Sequence, residues 1–239
     1  AIPKDYDTIA LWYNKTLFDA KGIPYPDESW DWNKMLEAAQ KLNDPEQGVY
    51  GIIAPPDQQS FYYNLVYQNG GEILNADHTK AGYTEEATEQ AIQYAADFSQ
   101  KYKVSPTVQQ LADMSREQYF ESGKAAMAMF GSWMMGDFNA NEYVVKNCDV
   151  AVLPKGKKQA TIYNGLGNAV SAGTKHPEEA LKFVEFLGGE KANTIQAEKN
   201  GAIPAYKGTE KGWVDANKNF NVKVYPEMMK YAVIFPNSE

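Results

Sequence analysis

The stretch that decides the fold is FESGKAAMAMFGSW, residues 120–133. After a Gly-Lys turn, residues 125–130 are apolar throughout, which predicts a fully buried strand. Upstream, Ser115 opens a capping-box pattern that predicts a short helix before the strand. Downstream, we expect Trp133 to lie where the strand ends and another helix begins.

Strands and helices alternate along the rest of the chain. Runs of apolar and β-forming residues predict strands at residues 8–13, 49–53, 149–153 and 168–172. Amphipathic patterns predict a helix capped by Asp31, one from a Thr84 cap to Lys103, and one with Pro177 in its first turn and Gly188-Gly189 at its end. This alternation predicts an α/β fold.

The composition limits the classes of partner that the chain is expected to bind. The chain carries 31 acidic and 23 basic residues, a formal net charge of −8. An acidic chain repels phosphate backbones and anionic membrane surfaces, so we expect neither nucleic acid nor a membrane surface as a partner. The 16 Tyr and 5 Trp suit a ligand with both apolar faces and hydroxyls, such as a sugar, although most rings are expected in the core.

The two ends of the chain look cut. No stretch reaches the 18 or more apolar residues of a membrane span, and no signal peptide opens the sequence. We therefore expect any leader or lipid anchor to lie upstream of Ala1. The residues at 237–239 close the chain without a recognisable element, so we also expect a continuation there.

Motifs for catalysis are sparse. His78 and His176 are far apart and beside turns, and the single Cys148 allows neither a disulfide nor a zinc site, so no metal or cofactor is expected. The chain has no Gly-x-Ser-x-Gly elbow, Walker loop or dinucleotide glycine pattern. A glycosidase needs only two carboxylates, so a carbohydrate-active enzyme with an unrecognised pair remains the alternative.

Several short motifs, taken in their order and spacing, resemble one family across nearly the whole chain. These motifs are DTIALWYNKTLFD at 7–19, the stretch at 120–133, VAVLP at 150–154, YNGLGN at 163–168, TKHPEEA at 174–180 and GAIP at 201–204. Together they resemble the extracellular solute-binding proteins of carbohydrate ABC importers, the group that includes maltose-binding protein.

The resemblance implies an α/β fold of the type II periplasmic-binding-protein class, with two lobes. It assigns residues 1–154 to the C-terminal lobe and residues 155–205 to a segment returning to an incomplete N-terminal lobe. Residues 206–239 would form a truncated hinge or C-terminal-lobe helical segment. The basic loop at 155–158 is the predicted crossover between lobes.

The resemblance also implies a ligand site. Trp133 matches a tryptophan that stacks on a sugar ring, with Gly131 allowing close backbone approach and Ser132 donating a hydroxyl; a core position is the alternative for Trp133. Asp7 matches a junction position that accepts hydrogen bonds from sugar hydroxyls, although it could instead cap a strand.

The remaining candidates lie on three other segments. The loop after the second strand supplies Asp57, Gln58, Ser60 and Phe61, and the other lobe supplies Asn164 and Gly165. Trp12 and Tyr13 alternate along one strand, so at most one faces the ligand; Tyr13 is a candidate, with a structural role as its alternative.

The implied mechanism is binding without bond cleavage. A mono- or oligosaccharide would lie between the lobes, a hinge would close around it, and the transmembrane permease subunits of an ABC transporter would recognise the closed form. The protein would work lipid-anchored on the outer face of the membrane or in a periplasm, with membrane contact only through an upstream anchor. With half of the cleft missing, the chain alone is expected to bind weakly or not at all. A structural or adhesive surface domain is the third reading.

Overall fold

The computed structural model describes residues 1–199 and 201–236, so the predicted chain end at 237–239 lies outside it. Within these ranges the strands form two sheets. The strands are β1 (Ile2–Asp7), β2 (Ile9–Asn14), β3 (Met127–Gly131), β4 (Cys148–Ala151), β5 (Thr161–Asn168), β6 (Ile203–Pro204) and β7 (Ala232–Ile234).

Helices surround the sheets, and this confirms the predicted α/β class. The helices are α1 (Lys15–Lys21), α2 (Trp32–Leu42), α3 (Gln59–Gln68), α4 (Glu86–Gln100), α5 (Val108–Asp113), α6 (Arg116–Glu121), α7 (Met135–Ala140), α8 (Glu142–Asn147), α9 (Pro177–Gly188), α10 (Glu190–Glu198), α11 (Glu210–Ala216) and α12 (Val224–Met228). Three predicted starts are confirmed: Asp31 caps α2, Ser115 forms a capping box on α6, and Pro177 opens α9.

The first sheet has the order β3-β2-β4 and is antiparallel. Every residue of β2 and β3 is buried, as the apolar runs predict. Successive side chains of β2 point to opposite faces. Leu11 therefore joins one hydrophobic cluster and Trp12 the other. Both faces of this sheet are covered.

The second sheet has the order β6-β1-β5-β7. β1 is antiparallel to β5 and β6, with Asp7 opposite Asn164, and β7 runs parallel to β5. The prediction placed residues 1–154 in one lobe, but the pairing of β1 puts residues 2–7 in the same sheet as residues 161–168. The alternating pattern of β1 gives no hint of a partner so distant in sequence.

The chain passes directly from one sheet to the other at Thr8. The Thr8 hydroxyl donates to the Tyr225 carbonyl at 2.8 Å, and the Ile9 amide donates to the Thr161 hydroxyl at 3.0 Å. Residues 155–160 make a second passage, from β4 in the first sheet to β5 in the second, where the basic loop was expected to cross. The two sheets therefore meet around residues 7–9.

The segment after residue 205 divides between the sheets. Trp213, Phe220 and Tyr225 pack in the same cluster as Trp12, and the Trp12 indole N–H donates to the Tyr225 hydroxyl at 2.6 Å. β7 instead joins the edge of the second sheet beside β5. This segment thus contacts both sheets, and its assignment to a hinge and lobe stays a prediction.

Two of the predicted strands are wrong. Residues 49–53 make only isolated bridges, two of them to Ala125, just before β3, and to Ala128 within it. The strand expected at 168–172 is displaced to 161–168. It ends at Asn168 because its partner β1 ends at Ile2.

One predicted helix has different ends. Glu85 rather than Thr84 is the N-cap of α4, and the helix stops at Gln100 rather than Lys103. Lys103 has φ of 56°, in the left-handed region, so it cannot continue a right-handed helix.

Across residues 1–199 and 201–236, no helix is long and apolar enough to cross a bilayer.

Candidate functional site

A pocket of about 330 Å³ lies where the two sheets meet. Its walls come from six separate parts of the chain and mix charged, amide and apolar side chains. The lining residues are Asp7, Ile9, Asp57, Gln58, Gln59, Ser60, Arg116, Trp133, Ile162, Asn164 and Phe235. Six of the predicted site residues are among them: Asp7, Asp57, Gln58, Ser60, Trp133 and Asn164.

Trp133 lies just beyond the carboxyl end of β3, where α/β sheets present ligand sites. Trp133 is 39% exposed, so it is not a core residue, which was the alternative. Gly131 does not line the pocket itself. A Cβ at Gly131 would overlap the six-membered ring of Trp133, so the missing side chain leaves the space in which the indole lies.

Asp7 ends β1 at the passage between the sheets and is only 9% exposed. Burial is the main influence on its carboxyl and raises its pKa to about 6, with a smaller upward contribution from nearby Asp5. Hydrogen bonds from the Ser132 hydroxyl and the Trp133 backbone, together with Lys4, act in the opposite direction.

Ser132 itself is fully buried behind Asp7 and does not reach the pocket. Its hydroxyl donates to Oδ1 of Asp7. The predicted role of a hydroxyl offered to the ligand is therefore replaced by a supporting one: Ser132 orients the carboxylate that faces the pocket.

The start of α3 supplies one wall. Gln58 is the N-cap residue, and its side chain makes no capping hydrogen bond, so its amide is directed elsewhere. Asp57 and Gln58 are exposed and Ser60 is half-buried. The Asn64 side chain accepts a hydrogen bond from the Ile162 amide at 2.8 Å, which holds α3 against β5.

Asn164 supplies the opposite wall from β5. Its side-chain oxygen accepts a hydrogen bond from the Gly165 amide at 2.9 Å. Gly165 does not line the pocket; it lies against β1, where a Cβ would be 2.7 Å from the Asp5 carbonyl oxygen. Only the first residue of this predicted pair therefore faces the pocket.

Two more candidates are corrected by burial. Phe61 is 1% exposed and packs edge-on against Phe98 in the core. Tyr13 is buried against Phe18 and Tyr25 on the far part of β2. Both rings fill the interior because their strand or helix positions point away from the junction.

Arg116 is the main residue that sequence reasoning missed. Its Nη1 donates to the Ser60 hydroxyl and its Nε to Glu117, both at 2.7 Å, and its guanidinium lies 5.2 Å from the Phe130 ring centroid. Arg116 is the first residue of the capped helix before the deciding stretch, which was its only sequence signal. Gln59, Ile9, Ile162 and Phe235 were also missed; the last three form the apolar part of the lining.

The pocket offers a flat aromatic face, apolar side chains and several oxygen and amide groups. It is suited to hydrogen-bond a polar ligand and to stack on an apolar face of the same ligand. Within the described ranges, no group of three or more His, Cys, Asp and Glu residues is arranged to hold a metal ion.

The model for the family described as bacterial extracellular solute-binding protein matches residues 2–194. The chain belongs to this family.

Relatives of this solute-binding protein include the maltodextrin-binding protein MdxE of Bacillus subtilis, 24% identical over 99% of this chain and 57% of the relative. A putative binding protein of Brucella abortus is 29% identical over 74% of this chain and 44% of the relative. The ABC substrate-binding protein of Listeria monocytogenes in complex with cycloalternan superposes with a TM-score of 0.88 at 28% identity, covering 99% of this chain and 61% of that chain.

The chain thus spans about half the length of the curated relatives that it matches. The structural similarity confirms the predicted fold of type II periplasmic binding proteins. The pocket of this solute-binding protein lies at the passage between its two sheets.

Proposed function

We propose that this chain forms much of the ligand site of an extracellular carbohydrate-binding protein. The single observation that carries the proposal is the indole of Trp133, which is 39% exposed in a pocket that is also lined by several oxygen and amide side chains. A pyranose presents C–H groups on its faces and hydroxyls around its edge. The indole matches the C–H faces of such a ring, and the oxygen and amide side chains match its hydroxyls.

Named polar groups support the assignment. The Asp7 carboxylate accepts hydrogen bonds from two hydroxyls when ionised, and such bonds are stronger than neutral ones. The amides of Gln58, Gln59 and Asn164 both donate and accept, as each sugar hydroxyl requires.

The names of relatives point to the same ligand class. Besides MdxE, the galactooligosaccharide-binding protein of Bacillus subtilis is 27% identical over 86% of this chain and 49% of the relative. These two relatives are named for different sugars. They support carbohydrate as the class of ligand.

Delivery to an ABC importer follows from the same proposal. The ligand would be released to transmembrane permease subunits, at the outer face of the membrane or in a periplasm. Relatives described as solute-binding lipoproteins occur in Streptococcus pneumoniae, which supports an anchored form. Binding and release leave the bonds of the sugar intact, so this function needs no catalytic group.

The passage at Thr8 supplies a natural hinge. A single residue separates β1 from β2, and the hydrogen bonds described at this passage are those of Thr8 and Thr161 and the one from Ser132 to Asp7. Rotation about such a point would close the walls carried by Asn164 and Trp133 on a ligand.

The test is calorimetric titration of the full-length protein with mono- and oligosaccharides, repeated with the Trp133→Ala variant. Saturable binding to at least one sugar that weakens in the variant supports the proposal. Absence of binding to every sugar, with folded protein confirmed by circular dichroism, contradicts it. Chromatography of each oligosaccharide after hours of incubation separates binding from hydrolysis, and release of shorter sugars would favour the enzyme alternative.

A further inference from the structure

In three places along the chain an asparagine is followed directly by glycine, at Asn69, Asn164 and Asn200. Asn200 lies outside the described residues, so the structure describes the other two pairs. Asparagine is a thermolabile residue, and a following glycine has no side chain to hinder the approach of its backbone nitrogen to the asparagine side chain. The pairs have the same covalent chemistry, so the surrounding structure determines which of them reacts.

At Asn164 the two groups that would react face each other. Both residues of the pair are exposed, and the Gly165 N–H donates a hydrogen bond to Oδ1 of Asn164 at 2.9 Å. The Cγ atom of Asn164 is one C=O bond from this oxygen, so the Gly165 nitrogen lies within about 4 Å of Cγ. A small change in the side-chain and backbone dihedrals brings this nitrogen onto the carbon.

The backbone at Asn164 lies between two ladders of strand pairing. The described pairing of β5 with β7 covers Thr161–Tyr163, and the pairing of β5 with β1 begins at Asn164 opposite Asp7. A residue at the end of a ladder opens more easily than one in the middle, because fewer neighbouring hydrogen bonds must break with it. The dihedral change that the reaction needs is therefore accessible here.

The pair at Asn69 has the opposite arrangement. Asn69 is only 7% exposed, and its Nδ2 donates to the Ala87 carbonyl at 2.6 Å. The Gly70 N–H donates to the Tyr67 carbonyl at 3.2 Å. Each group thus has its own partner elsewhere, and both hydrogen bonds must break before the Gly70 nitrogen can reach the side chain. This pair is an internal reference within the same molecule.

The reaction at such a pair consumes only water. The glycine nitrogen gives up its proton and forms a bond to Cγ, and the side-chain nitrogen leaves as ammonia with that proton, which closes a five-membered succinimide. Water then adds to one of the two ring carbonyls and breaks its bond to the ring nitrogen. Addition at Cγ gives aspartate, whereas addition at the main-chain carbonyl gives isoaspartate, in which the chain continues through the side chain.

We propose that Asn164 is a site of spontaneous deamidation, where the Asn-Gly pair of the pocket wall cyclises and is converted by water into aspartate or isoaspartate. The modification itself depends only on the geometry of Asn164 and Gly165. Its effect on binding rests on the proposed function, since Asn164 lines the pocket.

The product changes the pocket wall in two ways. Asp7 lies opposite residue 164, and cross-strand partners have Cβ atoms about 4.5–5.5 Å apart, so a second carboxylate there repels the first. Aspartate also lacks the two N–H donors of the asparagine amide. Isoaspartate adds a methylene to the main chain and displaces the strand as well. Ageing of the protein therefore weakens its binding of a sugar.

The experiment is incubation of the full-length protein at pH 8.5 in water enriched in oxygen-18, followed by trypsin digestion and mass spectrometry at successive times. The three pairs lie on different tryptic peptides, 42–80, 159–175 and 200–207, so each site is measured separately. The heavy oxygen marks deamidation that occurs during the incubation rather than during digestion. We expect labelling of peptide 159–175 to be about tenfold or more faster than that of peptide 42–80. An equal or slower rate would overturn the proposal.

Matched variants assign the reacting residue. Asn164→Gln lengthens the side chain by one methylene, so attack by the Gly165 nitrogen would require a less favourable six-membered ring. Peptide 159–175 should then remain unlabelled. Continued labelling would place the reaction at Asn168, on the same peptide, and contradict the proposal. Asn69→Gln is the control and should leave the labelling of peptide 159–175 unchanged. The comparison of sites in the unmodified protein is decisive even if a variant does not fold.

Sugar titrations separate this proposal from the proposed function. By calorimetry, Asn164→Asp, which reproduces one product, should bind about tenfold more weakly than freshly purified protein. Unchanged affinity would show that the modification does not affect the site. If peptide 159–175 is labelled fastest but fresh protein binds no sugar, the proposed function fails and the modification site stands. If sugars bind but Asn164 reacts no faster than Asn69, only the modification site fails.

Discussion

Ser132 donates a hydrogen bond to the carboxylate of Asp7, and this bond joins the two sheets at the pocket. Asp7 is the last residue of β1 in the four-stranded sheet, and Ser132 follows β3 in the three-stranded sheet. The next residue is Trp133, so one short contact fixes both the carboxylate and the start of the segment that carries the indole.

The first prediction concerns stability against pH. Because burial raises the pKa of Asp7 to about 6, the folded state favours the protonated form more than the unfolded chain does. The stabilisation is complete below the ordinary carboxyl pKa near 4 and is lost as pH rises through 6. Asp7→Asn has no carboxyl that can ionise at this position, so it keeps this stabilisation at every pH. Its unfolding free energy at pH 7.5 should exceed that of the unmodified protein by roughly 2–3 kcal/mol.

Urea unfolding of both proteins at pH 4 and pH 7.5 measures this difference. The two curves should nearly coincide at pH 4 and separate at pH 7.5. An equal gap at both pH values would show that the Asp7 carboxyl does not titrate in this interval.

The second prediction concerns ligand binding against pH. A sugar hydroxyl binds more strongly to the ionised carboxylate, so affinity should rise by roughly fivefold between pH 5 and pH 7.5, with a midpoint near 6. Asp7→Asn should remove this dependence. Ser132→Ala removes a hydrogen bond that lowers the pKa of Asp7 and should therefore shift the midpoint upward.

Calorimetry across this pH range gives the affinities. At pH 6, titrations in two buffers of different ionisation enthalpy should also detect protons released on binding. A flat profile in the unmodified protein would remove Asp7 from the ligand contacts.

Much of the fold was predictable, because its central strands are defined by local pattern. Residues 8–13 and 125–130 are continuous apolar runs, which form strands whatever their partners. β1 was not predicted as a strand, and its pairing with β5 joins residues about 160 positions apart. No local pattern encodes such a pairing.

The site was predictable to the extent that it lies beside these strands. Trp133 follows a buried strand and could be found by position, whereas Asp7 was indicated by the family resemblance. Arg116, Ile162 and Phe235 reach the pocket through pairings of distant segments, and the sequence around each is ordinary. Phe61 and Tyr13 lie near site residues in sequence, but the rotation of their helix or strand turns their rings into the core.

The third prediction tests the space next to the indole. Gly131→Ala places a methyl group where the Trp133 ring lies, so the ring must move away from its position in the pocket. We expect roughly tenfold weaker sugar binding with only a small change in unfolding temperature, since the exposed ring can shift. Gly136→Ala is the control, because a Cβ there meets nothing within 4 Å. Equal affinity of the two variants would contradict the role given to Gly131.

The fourth prediction tests how the C-terminal segment is held. Tyr225→Phe removes the acceptor for the Trp12 indole N–H, leaving a buried donor unsatisfied. We expect a loss of about 1–3 kcal/mol in unfolding free energy. Tyr231→Phe, at an exposed ring, should cost little. Chemical denaturation compares the two, and a loss below about 0.5 kcal/mol for Tyr225→Phe would show that the hydrogen bond does not secure the segment.

The fifth prediction concerns the aromatic face itself. Trp133→Ala removes the ring but leaves the Asp7, Asn164 and Gln58 side chains in place, so binding should persist with a loss of about 1–3 kcal/mol. Because the ring is 39% exposed, the unfolding temperature should change little. Tyr206→Ala, at a ring of similar exposure that does not line the pocket, is the matched control. Calorimetry at pH 7.5 measures the affinity of both variants. Among the described lining residues, Trp133 and Phe235 are the aromatic ones. An unchanged affinity in Trp133→Ala would therefore show that the indole does not contact the ligand.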